Sequence, residues 1–531
     1  MFGSEFVDAI DDQGQAAPER IVFCNSAGER MTYAELRSRS NALATWLSNP
    51  SNVAPGVPVV LYGHKSPYML VCMMACAKAG HAYAPVDTVY PAERVARIVE
   101  QIVNQTGSTF VINTTGGTIG LQGELDGQGA AAPVLPLAQL VSLCDAQPDE
   151  SALKALPGTT KDATFYILFT SGSTGEPKGV EITTECVDEF SRWMLQDYVF
   201  PEDGRRVWFN RTPYSFDVSI TDMVCGSVRG DTTFALEAEA EVSMPRMFEA
   251  LAASGATDWV STPSSVEQCL ADDGFDRTLM PHLRRMLLAG ETLRPATVRE
   301  VKRRFPGIHV YNGYGPTEST DLVTLCEITD EMLQDDLALP IGYAKKGSDL
   351  VVLDPQTLEA KRNGEPGELF IVGNTVAKGY WGRPDLTEAA FHACPQHIAQ
   401  GRRSYRTGDE VTYADNGLIY FHGRLDLQIK LHGYRIELGD IESLLCTSPL
   451  VHMACVLPVW RDGSIHHLLA FVVPTDRASE RGLKLTRQIK AQVRDALPSY
   501  MIPRAFKYLD EMPLNSNGKA DRKALAGLLD A

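Results

Sequence analysis

Short apolar runs, each closed by a polar turn and a segment of helical period, recur through the first four-fifths of the chain. Val59–Tyr62, Phe165–Phe169, Val207–Phe209, Trp259–Ser261, Met286–Leu288 and His309–Tyr311 have the length and apolarity of buried strands. Strands alternating with amphipathic helices predict a layered α/β architecture. Between Ser348 and Gly373 the rhythm changes to strands separated by turns, Leu350–Leu353 and Leu369–Val372, which predicts a smaller β-rich portion closing the large domain. A last strand, Ile419 to Asp426, leads to a boundary. After it, Gln428–Leu431, Ala454–Pro458 and Leu468–Val473 read as strands and Arg487–Leu497 as a helix. That tail is long enough to be a small α+β domain of its own. The expected division is 1–424 and 425–531, and a chain of 531 residues needs more than one core in any case.

Several classes of protein are excluded early. The most apolar helical stretch, Tyr68–Ala79, ends in Lys78-Ala79-Gly80 and reads as a buried helix with a glycine cap, well short of a membrane span. Met1–Gln15 carries Glu5, Asp8, Asp11 and Asp12 and lacks the basic start and apolar run of a signal peptide, so a cytoplasmic protein is expected. Eleven cysteines are scattered singly without a CxxC pair, which predicts small core residues rather than a disulfide framework or a metal site. A net charge of −18 argues against nonspecific binding to nucleic acid or to an anionic membrane. The glycine-rich stretch Thr115–Ala132 reads as a surface excursion.

One loop carries chemistry. Directly after the Phe165–Phe169 run comes Thr170-Ser171-Gly172-Ser173-Thr174-Gly175-Glu176-Pro177-Lys178-Gly179. Glycines let backbone N–H groups close on an anion, hydroxyls donate further bonds, and the lysine adds charge. Lys178 is followed by Gly179, so the spacing is not that of a Walker loop. A flexible glycine–serine turn is the bland alternative. The density of donors after a buried strand favours a grip on polyphosphate.

The loop resembles the signature of the adenylate-forming enzyme superfamily, which includes acyl-CoA synthetases and peptide-synthetase adenylation domains. An ordered series over nearly the whole chain carries the same resemblance. It runs through Thr32-Tyr33-Ala34-Glu35-Leu36, Lys78 to Asp87, Tyr314-Gly315-Pro316-Thr317-Glu318, Gly367-Glu368-Leu369 and Tyr405-Arg406-Thr407-Gly408-Asp409. It closes with Gly423-Arg424-Leu425-Asp426, His432-Gly433-Tyr434-Arg435 and Asn517-Gly518-Lys519. The reaction implied is attack of a carboxylate on the α-phosphate of ATP, expelling pyrophosphate. Both reactants are anions, so charge neutralisation and alignment must dominate.

The resemblance assigns roles. Thr170, Ser171, Gly172, Ser173, Thr174, Gly175 and Lys178 would hold the phosphates, together with Gly315 and Thr317. Glu318 would bind Mg²⁺, Tyr314 would lie against the adenine, and Asn312 would read its amino edge. Asp409 would accept from the ribose hydroxyls, and Arg424 would join the ribose and phosphate contacts. Read alone, Asp409 is an ordinary turn residue and Lys519, twelve residues from the end, an idle surface lysine. The resemblance makes Lys519 the cation that bridges substrate carboxylate and α-phosphate, and Asp426 the hinge on which the small domain swings. Gly433 would then leave room for a phosphopantetheine arm during thiol transfer. Lys430 either serves that second step or faces solvent.

Asp217, in Phe216-Asp217-Val218-Ser219, sits where amino-acid-activating members carry the carboxylate that pairs with the substrate ammonium. Such a pairing is worth roughly 1.5–3 kcal/mol. A helix cap is the alternative reading. Val218, Leu288, Ala289, Gly290 and Gly313 would wall the amino acid. Within the superfamily the chain is most similar to the ligases that load D-alanine onto a carrier protein for teichoic-acid alanylation. Those ligases typically have a cysteine where this chain has Ala289, which widens the expectation to other small amino acids. An adenylation enzyme of a secondary pathway is the second reading. A coenzyme A ligase is disfavoured by Asp217, and a nonenzymatic binding module by the presence of Glu318 and Lys519.

Overall fold

The computed structural model describes residues 1–117, 119, 132–148, 150–170, 177–198, 204–241, 243–334, 337–425, 428–461, 464–475, 478, 482–494, 496–514 and 520–529. The chain divides into two compact units. The larger comprises Met1–Thr88, Val99–Phe169 and Gly179–Leu425. The smaller comprises Val89–Ile98, Thr170–Lys178 and Asp426–Ala531.

The larger unit is built on two mixed sheets. In the first, of nine strands, Thr232–Ala235, Val207–Asn210, Asp258–Ser261, Arg285–Ala289 and His309–Tyr314 run parallel in that spatial order. Trp208 on one strand and Trp259 on the next are wholly buried, as parallel strands covered on both faces require. In the second, of seven strands, Thr164–Thr170, Tyr83–Val86, Val59–Tyr62 and Phe110–Asn113 are parallel neighbours. An antiparallel sheet of Ser348–Leu353, Gly367–Gly373, Ser404–Tyr413 and Ile419–Arg424 follows, the β-rich portion expected from the sequence.

Two apolar runs depart from the strand-then-helix rhythm. The Phe165–Phe169 run lies in a strand whose next element among the described residues is another strand, Lys178–Thr183. The His309–Tyr311 run extends to Tyr314 and passes into a 3₁₀ turn, Thr317–Ser319, and the antiparallel strand Thr324–Glu327. Pro316, with no N–H to continue a ladder, precedes that turn. Gly315 lies so close to the returning chain that a Cβ there would fall 2.0 Å from the Asp321 carbonyl oxygen.

The helix Pro67–Lys78 is buried along its length and is capped by Ser66 at its start. Gly80 follows at φ +75°, the left-handed position that ends helices. Lys78 is fully buried, and its Nζ donates to Asp11 Oδ1 at 2.5 Å, Ser40 Oγ at 2.9 Å and Asn41 Oδ1 at 2.7 Å. Three acceptors meet the ammonium's three donors, and burial still lowers its pKa to about 8. The sequence block from Lys78 to Asp87 therefore begins with a lysine that locks the N-terminal helix, Glu5–Ala16, to the core.

In the smaller unit, Gln428–Leu431 and Tyr434–Glu437 form a hairpin, and Val451–Arg461, Ser464–Pro474 and Ala505–Tyr508 form a second sheet. The helix expected at Arg487–Leu497 lies at Leu483–Val493. Its buried face is Leu485, Ile489 and Val493, four residues apart. Leu497 is buried too, but in the turn beyond the helix, which is why its apolarity misled the reading. Among the described residues no helix is long and apolar enough to cross a membrane. Most of the Thr115–Ala132 stretch lies outside the described residues.

Candidate functional site

The carboxyl ends of the parallel strands in the nine-stranded sheet carry several of the residues singled out by sequence. Asn312, Gly313 and Tyr314 end one strand, Leu288 and Ala289 its neighbour. Ala289 stands opposite Gly313 across the ladder. This end of an open α/β sheet is where chains leave the layer and side chains converge on a crevice.

Asp217 stands at the start of the helix Val218–Arg229. Its Oδ1 accepts the N–H of Val218 at 3.0 Å, so the capping reading is correct as a description of one oxygen. The other oxygen, Oδ2, accepts from the hydroxyl of Thr317 at 2.5 Å. One turn on, Thr221 donates to Asp321 Oδ2. Asp217 and Thr221 are four residues apart and share a helix face, and Thr317 and Asp321 span the same interval on the loop that meets it. Thr320 and Asp321 both adopt φ of +65°, rare for residues with a Cβ. Their side chains hold the turn: Thr320 donates to the Thr375 carbonyl at 2.8 Å, and Asp321 receives Thr221.

A second carboxylate cluster forms on the antiparallel sheet. Asp409 and Arg424 are paired residues on adjacent strands, and Arg424 Nη1 donates to Asp409 Oδ1 at 3.0 Å. The hydroxyl of Tyr314 donates to Asp409 Oδ2. Burial, then the Asp409 charge, holds the Tyr314 phenol well above its ordinary pKa, so it is a donor at neutral pH. Thr407 accepts the Asp409 N–H at 3.0 Å and donates to the Leu369 carbonyl at 2.8 Å, fixing the backbone beneath. Phe421 lies beside Tyr314, ring centroids 6.3 Å apart. Asn312 donates through Nδ2 to the Pro340 carbonyl at 2.7 Å, which leaves its oxygen as the side that can meet an amino group.

Glu318 is fully buried. Tyr380 donates its hydroxyl to Glu318 Oε1 at 2.7 Å, and the N–H of Ala377 donates to the Glu318 carbonyl at 2.8 Å. Sequence reasoning missed Tyr380; the signal available was Gly379-Tyr380-Trp381, two aromatics after a glycine in a polar stretch. It also missed Leu322, whose Cδ atoms lie 3.2 Å from where a Cβ on Gly313 would stand. Leu288 and Ala289 face opposite ways, as successive strand residues must. Leu288 packs in the core cluster of Phe209, Trp259 and Phe275, whereas Ala289 belongs to the cluster holding Tyr314 and Leu322, against which Val218 packs. Gly290 follows at φ +89°.

The remaining sequence candidates fall in the smaller unit. Thr170 donates to the Lys178 carbonyl at 3.4 Å, and Lys178 Nζ lies 3.5 Å from Glu437 Oε1, which also accepts from Gln428 at 2.6 Å. Gly433 and His432, at φ +81° and +52°, make the two-residue turn of the Gln428–Glu437 hairpin. Ser171, Gly172, Ser173, Thr174, Gly175, Asp426 and Lys519 lie outside the described residues.

Known proteins share this fold. Residues 10–381 match the AMP-binding enzyme family, and residues 440–519 match the AMP-binding enzyme C-terminal domain. The D-alanine--D-alanyl carrier protein ligase of Bacillus licheniformis is 38% identical over 522 residues, covering 98% of this chain and 99% of that protein. Its counterpart in Bacillus cereus is 38% identical over 523 residues, covering 98% and 99%. Among solved structures, holo-PA1221, an NRPS protein containing adenylation and PCP domains, superposes with a TM-score of 0.81 at 25% identity over 99% of this chain and 84% of that one. The Vibrio cholerae adenylation domain AlmE in complex with glycyl-adenosine-5'-phosphate shares the fold, with a TM-score of 0.79 at 20% identity over 100% and 98%.

Proposed function

The chain belongs to the AMP-binding enzyme family, and from that premise we propose that it uses ATP to convert D-alanine into its adenylate and then transfers the acyl group to the phosphopantetheine thiol of a separate carrier protein. It is an AMP-forming ligase. The observation that carries the amino-acid reading is the placement of Asp217, a carboxylate whose Oδ2 faces the Thr317 hydroxyl of the same loop that bears Glu318. A charged acceptor beside the phosphate-binding motif is what an α-ammonium needs if its carboxylate is to reach the α-phosphate. The choice of D-alanine rests on the likeness to the two Bacillus ligases along both chains' full length.

On this reading residues 1–424 bind ATP and the amino acid, and residues 425–531 form a mobile domain that turns about Asp426 and brings Lys519 to the reacting carboxylate. Tyr314 and Asn312 hold the adenine, Asp409 and Arg424 the ribose, and Thr170 to Gly175 with Lys178 the phosphates. Ala289, Gly313 and Val218 bound a small side chain, with Leu322 added behind Gly313. After adenylation Gly433 faces the incoming thiol. The reaction takes place in the cytoplasm and feeds teichoic-acid alanylation.

Mg²⁺ fits the donors present. Among the described residues no three His, Cys, Asp or Glu side chains gather into a metal cage. Glu318, whose Oε1 receives the Tyr380 hydroxyl, is a hard carboxylate next in sequence to the Thr317 hydroxyl, the kind of donor Mg²⁺ would take when phosphates and water supply the rest. When bound, the ion neutralises charge on the phosphates.

Loading of a carrier tests the proposal. Incubation with ATP, D-alanine and a phosphopantetheinylated carrier protein of the D-alanyl type is expected to add one alanyl group to the carrier by intact-mass measurement, and none to the carrier lacking the arm. Absence of loading while adenylate still forms would support the second reading, another carrier in another pathway.

A further inference from the structure

We infer that the Thr317 hydroxyl is a shared donor that couples the amino-acid site to the nucleotide site, so that each ligand tightens the binding of the other. The inference deepens the reading above and rests on its assignment of Asp217 to the ammonium and Thr317 to the phosphates.

A threonine hydroxyl has one proton and two lone pairs. That proton is directed at Asp217 Oδ2, 2.5 Å away, while Asp217 Oδ1 takes the Val218 N–H. The proton cannot serve Asp217 and a phosphate oxygen together. When polyphosphate takes it, the half-buried carboxylate loses a donor and its preference for an ammonium rises. The same rotation turns a hydroxyl lone pair toward that ammonium, which then has two acceptors in place of one. Read in the other direction, an ammonium on Asp217 releases the hydroxyl to the phosphate. Reciprocity of this kind is required of any coupling between two sites.

The surrounding frame confines the change to one side chain. Thr221–Asp321 and Thr320–Thr375 hold the loop against the helix Val218–Arg229 and the chain near Thr375. The backbone of Glu318 is pinned by Ala377 and its side chain by Tyr380. Thr317 stands between these fixed points, and rotation about χ1 between staggered wells redirects its hydroxyl without moving the loop.

Isothermal titration of the full chain with D-alanine, or with whichever amino acid gives the strongest pyrophosphate exchange, reads the coupling. It is run with and without saturating magnesium α,β-methylene-ATP, which binds but does not react. The wild-type protein is expected to bind the amino acid about tenfold more tightly with nucleotide present, and the nucleotide to gain the same factor from the amino acid. Thr317→Val should bring both factors to about one, and Thr317→Ser should restore them, which a purely structural role for the methyl group would not produce. Equal coupling in wild type and Thr317→Val, or no coupling in the wild type, overturns the inference while leaving the functional reading intact. Asp217→Asn tests that reading separately. Loss of amino-acid affinity with nucleotide affinity kept supports the anchor, and wild-type amino-acid affinity in this variant removes the anchor and the coupling together.

Discussion

Asp217 and Asp409 are each held by a hydroxyl from one short stretch, Tyr314 to Thr317, but the two carboxylates are held differently. Asp409 is buried, with Arg424 on one oxygen, Tyr314 on the other and Thr407 beneath its backbone. Asp217 is half-buried and receives one hydroxyl and the first N–H of its own helix. The first is a finished cage, with its charge already neutralised by a protein cation. The second keeps more exposure, where a substrate ammonium can approach it. The contrast suits their proposed ligands. A ribose is neutral and needs rigid acceptors, whereas an ammonium carries a charge that a carboxylate can meet.

Breaking the cage should have the largest effect. Asp409→Ala leaves the Arg424 guanidinium and the Tyr314 hydroxyl without their carboxylate and is expected to lower stability by up to about 3 kcal/mol, the low end for a broken buried pair because Arg424 keeps some exposure. Urea unfolding measures this, and an unchanged midpoint would mean that the cluster is no cage. Asp217→Asn should leave that midpoint nearly unmoved and raise the amino-acid KM by roughly ten- to a hundredfold, the loss of ~1.5–3 kcal/mol, with the ATP KM little changed. Equal losses for both substrates would erase the distinction between the two aspartates.

Smaller effects refine it. Ala289→Cys adds one group to a fully buried wall opposite Gly313 and should shift the D-over-L preference by at most ~1–3 kcal/mol, read from exchange rates with the two alanine enantiomers. An unchanged ratio would place the stereochemical control elsewhere. Tyr314→Phe removes one hydroxyl from a carboxylate that keeps Arg424, and is expected to lower stability by about 0.5–1.5 kcal/mol in the same urea measurement. A loss as large as that of Asp409→Ala would show that Tyr314, not Arg424, carries the cage.

How much of this was legible in the chain follows from how local each feature is. The strands Val59–Tyr62 and Thr164–Thr170 were read nearly to the residue, because four or five consecutive apolar side chains leave few alternatives, whereas His309–Tyr314 and Val451–Arg461 run three residues or more past the stretches expected. The helix Leu483–Val493 was misplaced by four residues because Leu497 is buried by a turn and continues the apolar spacing. Asp217, Thr317, Tyr314 and Asp409 were picked out one motif at a time. Their pairing was not legible, since the Asp217–Thr317 and Tyr314–Asp409 bonds join residues about a hundred positions apart and depend on the order of strands in the sheets. Tyr380 escaped for the same reason: only the fold brings it to Glu318.

ATP–pyrophosphate exchange across a panel of D-alanine, L-alanine, glycine, larger amino acids and propionate tests the central claim most directly. Propionate is alanine without its amino group, so it has nothing to offer Asp217. The account predicts strong exchange with D-alanine, weaker exchange with L-alanine and larger side chains, and almost none with propionate. Exchange with propionate equal to that with D-alanine, or none with any amino acid, would contradict it.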